Sequence, residues 1–128
     1  MSKSVAKILL IDDDEAILRS MTEYLRGLGY EVDSAQEMEE AEALLEHIQY
    51  KIIVTDLSFG KYRGLEGLEL LDHLHKNSPT TRTIVLSGHD SEDVRAEAAG
   101  RGNSIFLGKP VSLYRLGDAI SKLLVKNE

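Results

Sequence analysis

The chain contains no cysteine. Disulfides, thiolate catalysis and zinc–thiolate sites are therefore excluded. It has no apolar run approaching transmembrane length, and Met1-Ser2-Lys3-Ser4 leads into a strand-like segment without the apolar region of a signal peptide. These absences lead to the expectation of a cytoplasmic protein with no membrane contact. Basic residues are also in deficit: 15 Lys and Arg stand against 22 Asp and Glu, for a net charge of -7. That balance argues against a broad nucleic-acid surface. There is no internal repeat, low-complexity tract or linker, and 128 residues with 42% hydrophobic side chains suit one domain with a real core.

What is present is an alternation of strand and helix signals. Apolar runs at Lys7–Ile11, Tyr30–Ser34, Lys51–Thr55, Thr83–Ser87 and Ser104–Leu107 read as strands. Ile17, Met21, Leu25 and Leu28 recur at helical spacing, and Gly27 and Gly29 bracket a helix stop. Met38, Ala41, Leu44, Leu45 and Ile48 mark a second helix, with Glu37, Glu39, Glu40 and Glu42 on its solvent side. A third helix is expected from Leu65 to Lys76, and a weaker fourth opens at Ser91-Glu92. The last carries Leu113, Leu116, Ile120, Leu123 and Leu124 on one stripe. Five βα units in so short a chain imply an α/β fold, a doubly wound parallel sheet with helices on both faces. The flavodoxin-like order 2-1-3-4-5 fits best, because it sets the first and third strands side by side at the switch point.

In that order the strand ends carry the chemistry. Asp12-Asp13-Asp14 follows the first strand, Asp56 the third, Ser87 the fourth and Lys109 the fifth. Carboxylates gathered at one sheet edge need a cation to stay ionised together. Oxygen ligands beside a phosphate suit Mg²⁺. Each residue then has a task in phosphoryl transfer. Asp56 is the carboxylate nucleophile that forms an acyl phosphate. Asp13 ligates Mg²⁺, and Asp12 does so directly or through water. Lys109 pairs with Asp56 and then with a phosphoryl oxygen. The Ser87 hydroxyl donates to another. Asp14 reads as a cap at the positive end of the first helix.

With those residues in place the chain resembles the receiver domains of bacterial two-component response regulators. The resemblance rests on Ile11-Asp12-Asp13-Asp14-Glu15, on Asp56, on Leu86-Ser87-Gly88 and on Phe106-Leu107-Gly108-Lys109-Pro110, in this order and each at a strand end. It spans nearly the whole chain, so residues 1–128 are expected to form one receiver domain. It implies phosphorylation of Asp56 by a sensor histidine kinase, a histidine phosphotransfer protein or a small phosphodonor. The protein would catalyse its own phosphorylation and dephosphorylation only. It also implies a fourth metal ligand, the backbone carbonyl of Ser58, and a switch in which Ser87 moves toward the phosphoryl group and Phe106 swings inward behind it. The remodelled face would meet a downstream protein target, and homodimerisation through the fourth and fifth helices is left open. The context further implies a cis Lys109–Pro110 bond.

The sequence departs from the family after Asp56. Gly60 stands where a proline is usual, and Gly67 lies later than the usual helix-opening glycine, as though about three residues were inserted. This brings Phe59, Lys61, Tyr62 and Arg63 near the site without a family role. His89, two residues past Ser87, falls at the site's rim, where solvent exposure is the simpler reading. A phosphatase of the haloacid dehalogenase type also uses an aspartyl nucleophile. Its opening motif would need Gly after Asp14, where Glu15-Ala16 stands, and an acidic pair after the lysine, where there is only the isolated Asp118. A flavin-binding flavodoxin would need a Ser/Thr/Gly loop after the first strand. A phosphorylation-silent receiver-like module, acting through constitutive contacts, remains the alternative. The chain stops at Lys126-Asn127-Glu128, which fits either a stand-alone regulator or the receiver part of a longer protein.

Overall fold

The computed structural model describes residues 5–56, 79–87 and 104–126, together with Asp72 and Lys76. Five strands, β1 (Lys7–Ile11), β2 (Glu31–Ala35), β3 (Ile52–Asp56), β4 (Arg82–Ser87) and β5 (Ser104–Gly108), form one parallel sheet in the order β2-β1-β3-β4-β5. The expected α/β flavodoxin-like sheet is thus observed. Three helices are described along their length: α1 (Glu15–Gly27), α2 (Met38–His47) and α3 (Leu113–Lys126). Asp72 and Lys76 are helical and fall within the expected third helix. The lengthened loop with Ser58, Phe59, Lys61, Tyr62 and Arg63, the expected fourth helix and His89 lie outside the described residues.

The central strands are apolar because both of their faces are covered. Ile8, Leu9, Leu10 and Ile11 are at most 1% exposed. Side chains alternate across the sheet, so the strands feed two cores. Ile8, Leu10, Ile52, Val54, Ile84, Leu86 and Leu107 pack with α1 and α3, and Leu9, Ile11, Ala35 and Ile53 pack with α2. Below the second core the Tyr50 hydroxyl donates to Asp33 Oδ2 at 2.6 Å. The Thr81 hydroxyl donates to the Tyr50 carbonyl at 2.7 Å, which ties the entry of β3 to that of β4. Burial, aided by Asp33, pushes the Tyr50 phenol above its ordinary range.

α1 is rotated relative to the sequence expectation. Leu18, Met21 and Leu25 form its buried stripe, while Ile17 and Leu28, expected on that stripe, are 40% and 52% exposed. At 3.6 residues per turn, positions 17 and 28 fall on one flank of the stripe that runs through 18, 21 and 25. Tyr24 and Leu28, on that flank, cover Gly117 of α3, where a Cβ would lie 3.0 Å from Tyr24 Cε2 and 3.1 Å from Leu28 Cδ1. The flank therefore serves the contact between α1 and α3.

The expected stop at Gly29 is a Schellman cap. Gly29 N–H donates to the Arg26 carbonyl at 3.0 Å and Tyr30 N–H to the Leu25 carbonyl at 3.3 Å. Gly29 has φ of +104°, a conformation costly for any residue with a Cβ. Gly29→Ala is expected to lower stability by about 1–2 kcal/mol, read as an earlier urea midpoint at unchanged slope. A midpoint equal to wild type would rule out a strained cap. At the second helix, Glu40 Oε1 accepts from Gln36 and Glu37 N–H, each at 3.1 Å. Part of the glutamate run read as solvated surface is thus a helix cap.

Candidate functional site

Parallel register brings the functional residues to one edge. Ile11 pairs with Thr55 and Asp56 with Leu86, so Asp12 follows β1 at the level at which Asp56 ends β3. Ser87 pairs with Gly108, and Lys109 follows directly. Alternation then sets the face. Asp12 continues the parity of Ile8 and Leu10, Asp56 that of Ile52 and Val54, and Lys109 that of Ile105 and Leu107. All three belong to the side of the sheet that carries α1 and α3.

Asp12 is 2% and Asp56 6% exposed. The Lys109 ammonium donates to Asp56 Oδ2 and forms an ion pair with it. The Lys109–Pro110 peptide bond is cis, as expected. Asp12 Oδ1 accepts the Asp14 backbone N–H at 2.9 Å. Asp12 Oδ2 is buried and has no hydrogen-bond partner among the described residues. Burial lifts the Asp12 carboxyl above its ordinary value of 3.8; the hydrogen bond from Asp14 opposes that rise, and the charge on Asp56 adds to it.

Asp13 is exposed, on the opposite parity from Asp12. Among the described residues no three carboxylates or imidazoles converge closely enough to hold a metal ion. The described edge is therefore a buried pair, Asp12 and Asp56, compensated by Lys109, with Asp13 outside it. An orphaned, desolvated carboxylate oxygen is nevertheless the chemistry a hard divalent cation satisfies. Asp12 and Asp56 supply oxygen donors of the type Mg²⁺ takes.

Ser87 ends β4 in the expected place; its side chain lies outside the described residues, as does all of Ser58. Phe106 pairs with Val85 and is half-buried. Its neighbours Ile105 and Leu107 pack into the α1–α3 core, so Phe106 belongs to the other face of the sheet from Lys109. Sequence reasoning did not find the cleft beside the site. A cavity of about 580 Å³ opens between α1 and the turn after β5, lined by Asp12 and Lys109 and by Ile17, Met21, Val111 and Leu116. Ile17, exposed on α1, is accounted for by this cleft. The signal available in the sequence was its adjacency to the acidic triplet.

A parallel 2-1-3-4-5 sheet with one carboxylate directly after β1, another at the end of β3 and a lysine after β5 is the arrangement that the resemblance implies. The sequence pattern of the response regulator receiver domain matches residues 8–121, and the chain belongs to that family. It is 32% identical to the alginate biosynthesis transcriptional regulatory protein AlgB of Pseudomonas aeruginosa over 123 residues, 96% of this chain and 27% of AlgB. The chain thus spans about a quarter of the length of such curated relatives. Among solved structures, a CheY-like receiver domain protein from Methanospirillum hungatei superposes with a TM-score of 0.86 at 30% identity, covering 97% of each chain. The beryllofluoride-activated NtrC4 receiver domain, solved as a dimer, gives 0.84 at 30% identity over 95% of this chain and 98% of that one. Membership makes the chain a receiver domain of the response regulator type, a family whose role in two-component signalling is that of a phosphoacceptor. Receiver domains interact with histidine kinases and downstream effectors and generally bind Mg²⁺ at an acidic pocket. No described helix is long and apolar enough to cross a membrane.

Proposed function

We propose that residues 1–128 form one receiver domain that accepts a phosphoryl group on Asp56 in a Mg²⁺-dependent reaction. The observation that carries this reading is the buried Asp56 carboxylate, paired with the Lys109 ammonium at the edge where Asp12 keeps an oxygen with no partner among the described residues. The donor is the phosphohistidine of a sensor kinase or phosphotransfer protein, or a small phosphodonor. An Asp56 oxygen attacks phosphorus, the bond to the donor breaks, and an acyl phosphate forms. Lys109 exchanges its contact with Asp56 for one with a phosphoryl oxygen. The Ser87 hydroxyl donates to another. Asp12, Asp13, Asp56 and the Ser58 carbonyl would hold Mg²⁺, whose charge would offset that on the phosphoryl oxygens.

The output is a change of protein-binding surface in a cytoplasmic signalling chain. Movement of Ser87 toward the phosphoryl group leaves room for Phe106 to turn inward, and its half-buried start supports such a two-state element. The target is another protein rather than nucleic acid or membrane, in keeping with the net charge of -7. The dimeric NtrC4 receiver supports homodimerisation as one form of that output.

Intact-protein mass after incubation with acetyl phosphate and Mg²⁺ tests the reading. One added phosphoryl group is expected, absent with EDTA and absent in Asp56→Asn. No addition to the wild type, with beryllofluoride also failing to bind, would leave a phosphorylation-silent receiver. An addition that persists in Asp56→Asn would move the phosphoacceptor elsewhere.

A further inference from the structure

Asp14 lies outside the proposed ligand set, yet it is hydrogen-bonded in two directions. Its side-chain Oδ1 accepts from Ala16 N–H at 2.9 Å and from Ile17 N–H at 3.2 Å, capping α1. Its backbone is extended, with φ of -93° and ψ of 108°. From that conformation its N–H donates to Asp12 Oδ1 at 2.9 Å. The two sets of bonds are mechanically linked. The cap fixes residue 14 at the junction of loop and helix, and the fixed N–H determines which Asp12 oxygen is occupied. The other oxygen, Oδ2, is left buried and without a partner among the described residues. A carboxylate buried to 2% exposure has few ways to turn once one oxygen is held.

We propose that Asp14 is a positioning residue for the acidic pocket: its side-chain cap on α1 holds the backbone N–H that presents Asp12 Oδ2 to a divalent cation. The inference rests on the reading of Asp12 as a Mg²⁺ ligand and adds the group that orients it. Partners that orient a metal ligand are commonly worth 10- to 100-fold in metal affinity.

The test is calorimetric titration of the whole chain with MgCl₂ at low temperature, where circular dichroism shows each variant folded. Asp14→Ala, which removes the cap acceptor, is expected to weaken Mg²⁺ binding about tenfold. Asp14→Gly keeps a residue type favoured at helix starts without supplying an acceptor, so it tests the same point should the alanine variant unfold. It is expected to weaken binding similarly. Asp14→Asn and Asp14→Ser retain a capping oxygen without the charge and are expected to bind within about threefold of wild type. Glu40→Ala, which removes the distant cap of α2, is expected to lower thermal stability and leave Mg²⁺ affinity unchanged. Wild-type affinity in both Asp14→Ala and Asp14→Gly, with binding lost in Asp12→Asn, would overturn the positioning role and leave the metal site standing. Equal weakening in Asn, Ser and Ala would overturn it in favour of the Asp14 charge. A wild type that does not bind Mg²⁺ would overturn the metal reading and this inference with it.

Discussion

Lys109→Ala is expected to lower stability in the absence of Mg²⁺ by about 2 kcal/mol and to slow phosphorylation of Asp56 at least about 100-fold. The stability effect follows from which partner is removed. Asp56 is 6% exposed and sits beside the buried Asp12, so deleting the ammonium removes a counter-charge from two desolvated carboxylates. Removing one partner of a fully buried ion pair costs about 3–5 kcal/mol. The Lys109 side chain is 32% exposed, so water screens part of that cost. The rate effect has a separate origin. A positive charge already placed beside the attacking oxygen needs no reorganisation as negative charge spreads over the transferred group.

Two controls separate the causes. Lys109→Ala made in an Asp56→Asn background should cost little, because the charge that Lys109 compensates is already gone; additive losses in this double-mutant cycle would rule out the pair as the source. Saturating Mg²⁺ should recover part of the lost stability, since a divalent cation supplies the missing charge, and should recover little of the rate. Melting temperature and the time course of mass addition read the two effects independently.

The sheet and the site's framework were legible because they depend on strand ends. Short, wholly apolar runs punctuated by Asp, Ser-Gly and Lys-Pro leave few registers, and the buried parallel strands need no amphipathic pattern to be found. β1 matched its expected bounds, while β2, β3, β4 and β5 each differ by a residue at one end or both. The one consequential shift puts Asp56 inside β3, which explains why its carboxylate is buried. The face of α1 was less legible. Ile17 and Leu28 are apolar and nearly in phase with the true core residues, and what each meets is set elsewhere in the chain: Leu28 lies against Gly117 and Ile17 lines the cleft beside the site. The difference between Asp12 and Asp13 was illegible for another reason. Two adjacent aspartates are equivalent as letters, and strand parity carries one into the α1–α3 side and leaves the other exposed. The Asp14 cap was expected, whereas its N–H on Asp12 depends on backbone direction at the turn, which composition does not encode.

Asp12→Asn is expected to stabilise the metal-free protein at pH 7 by about 1–2 kcal/mol and to abolish stabilisation by Mg²⁺. The substitution keeps the shape and the oxygen that accepts from Asp14 N–H. It replaces a buried, charged oxygen that has no partner among the described residues with an amide that can donate toward the Asp56 edge. The pH dependence gives the sign independently. Burial raises the folded-state pKa of Asp12 above 3.8, so the folded protein holds that proton to higher pH than the unfolded chain does. The stability linked to protonated Asp12 is complete below the unfolded value and is lost as pH rises through the folded one. The advantage of Asn over Asp should therefore be smaller at about pH 4 than at pH 7. In wild type, Mg²⁺ at ten times its dissociation constant should add about 1.4 kcal/mol, whereas the variant should show no such gain. Urea unfolding of both proteins at the two pH values, with and without Mg²⁺, measures all of these effects. An advantage of the same size at both pH values would show that the charge on Asp12 is not the source. A variant that retains the Mg²⁺ gain would remove Asp12 from the ligand set and leave the metal to Asp13 and Asp56.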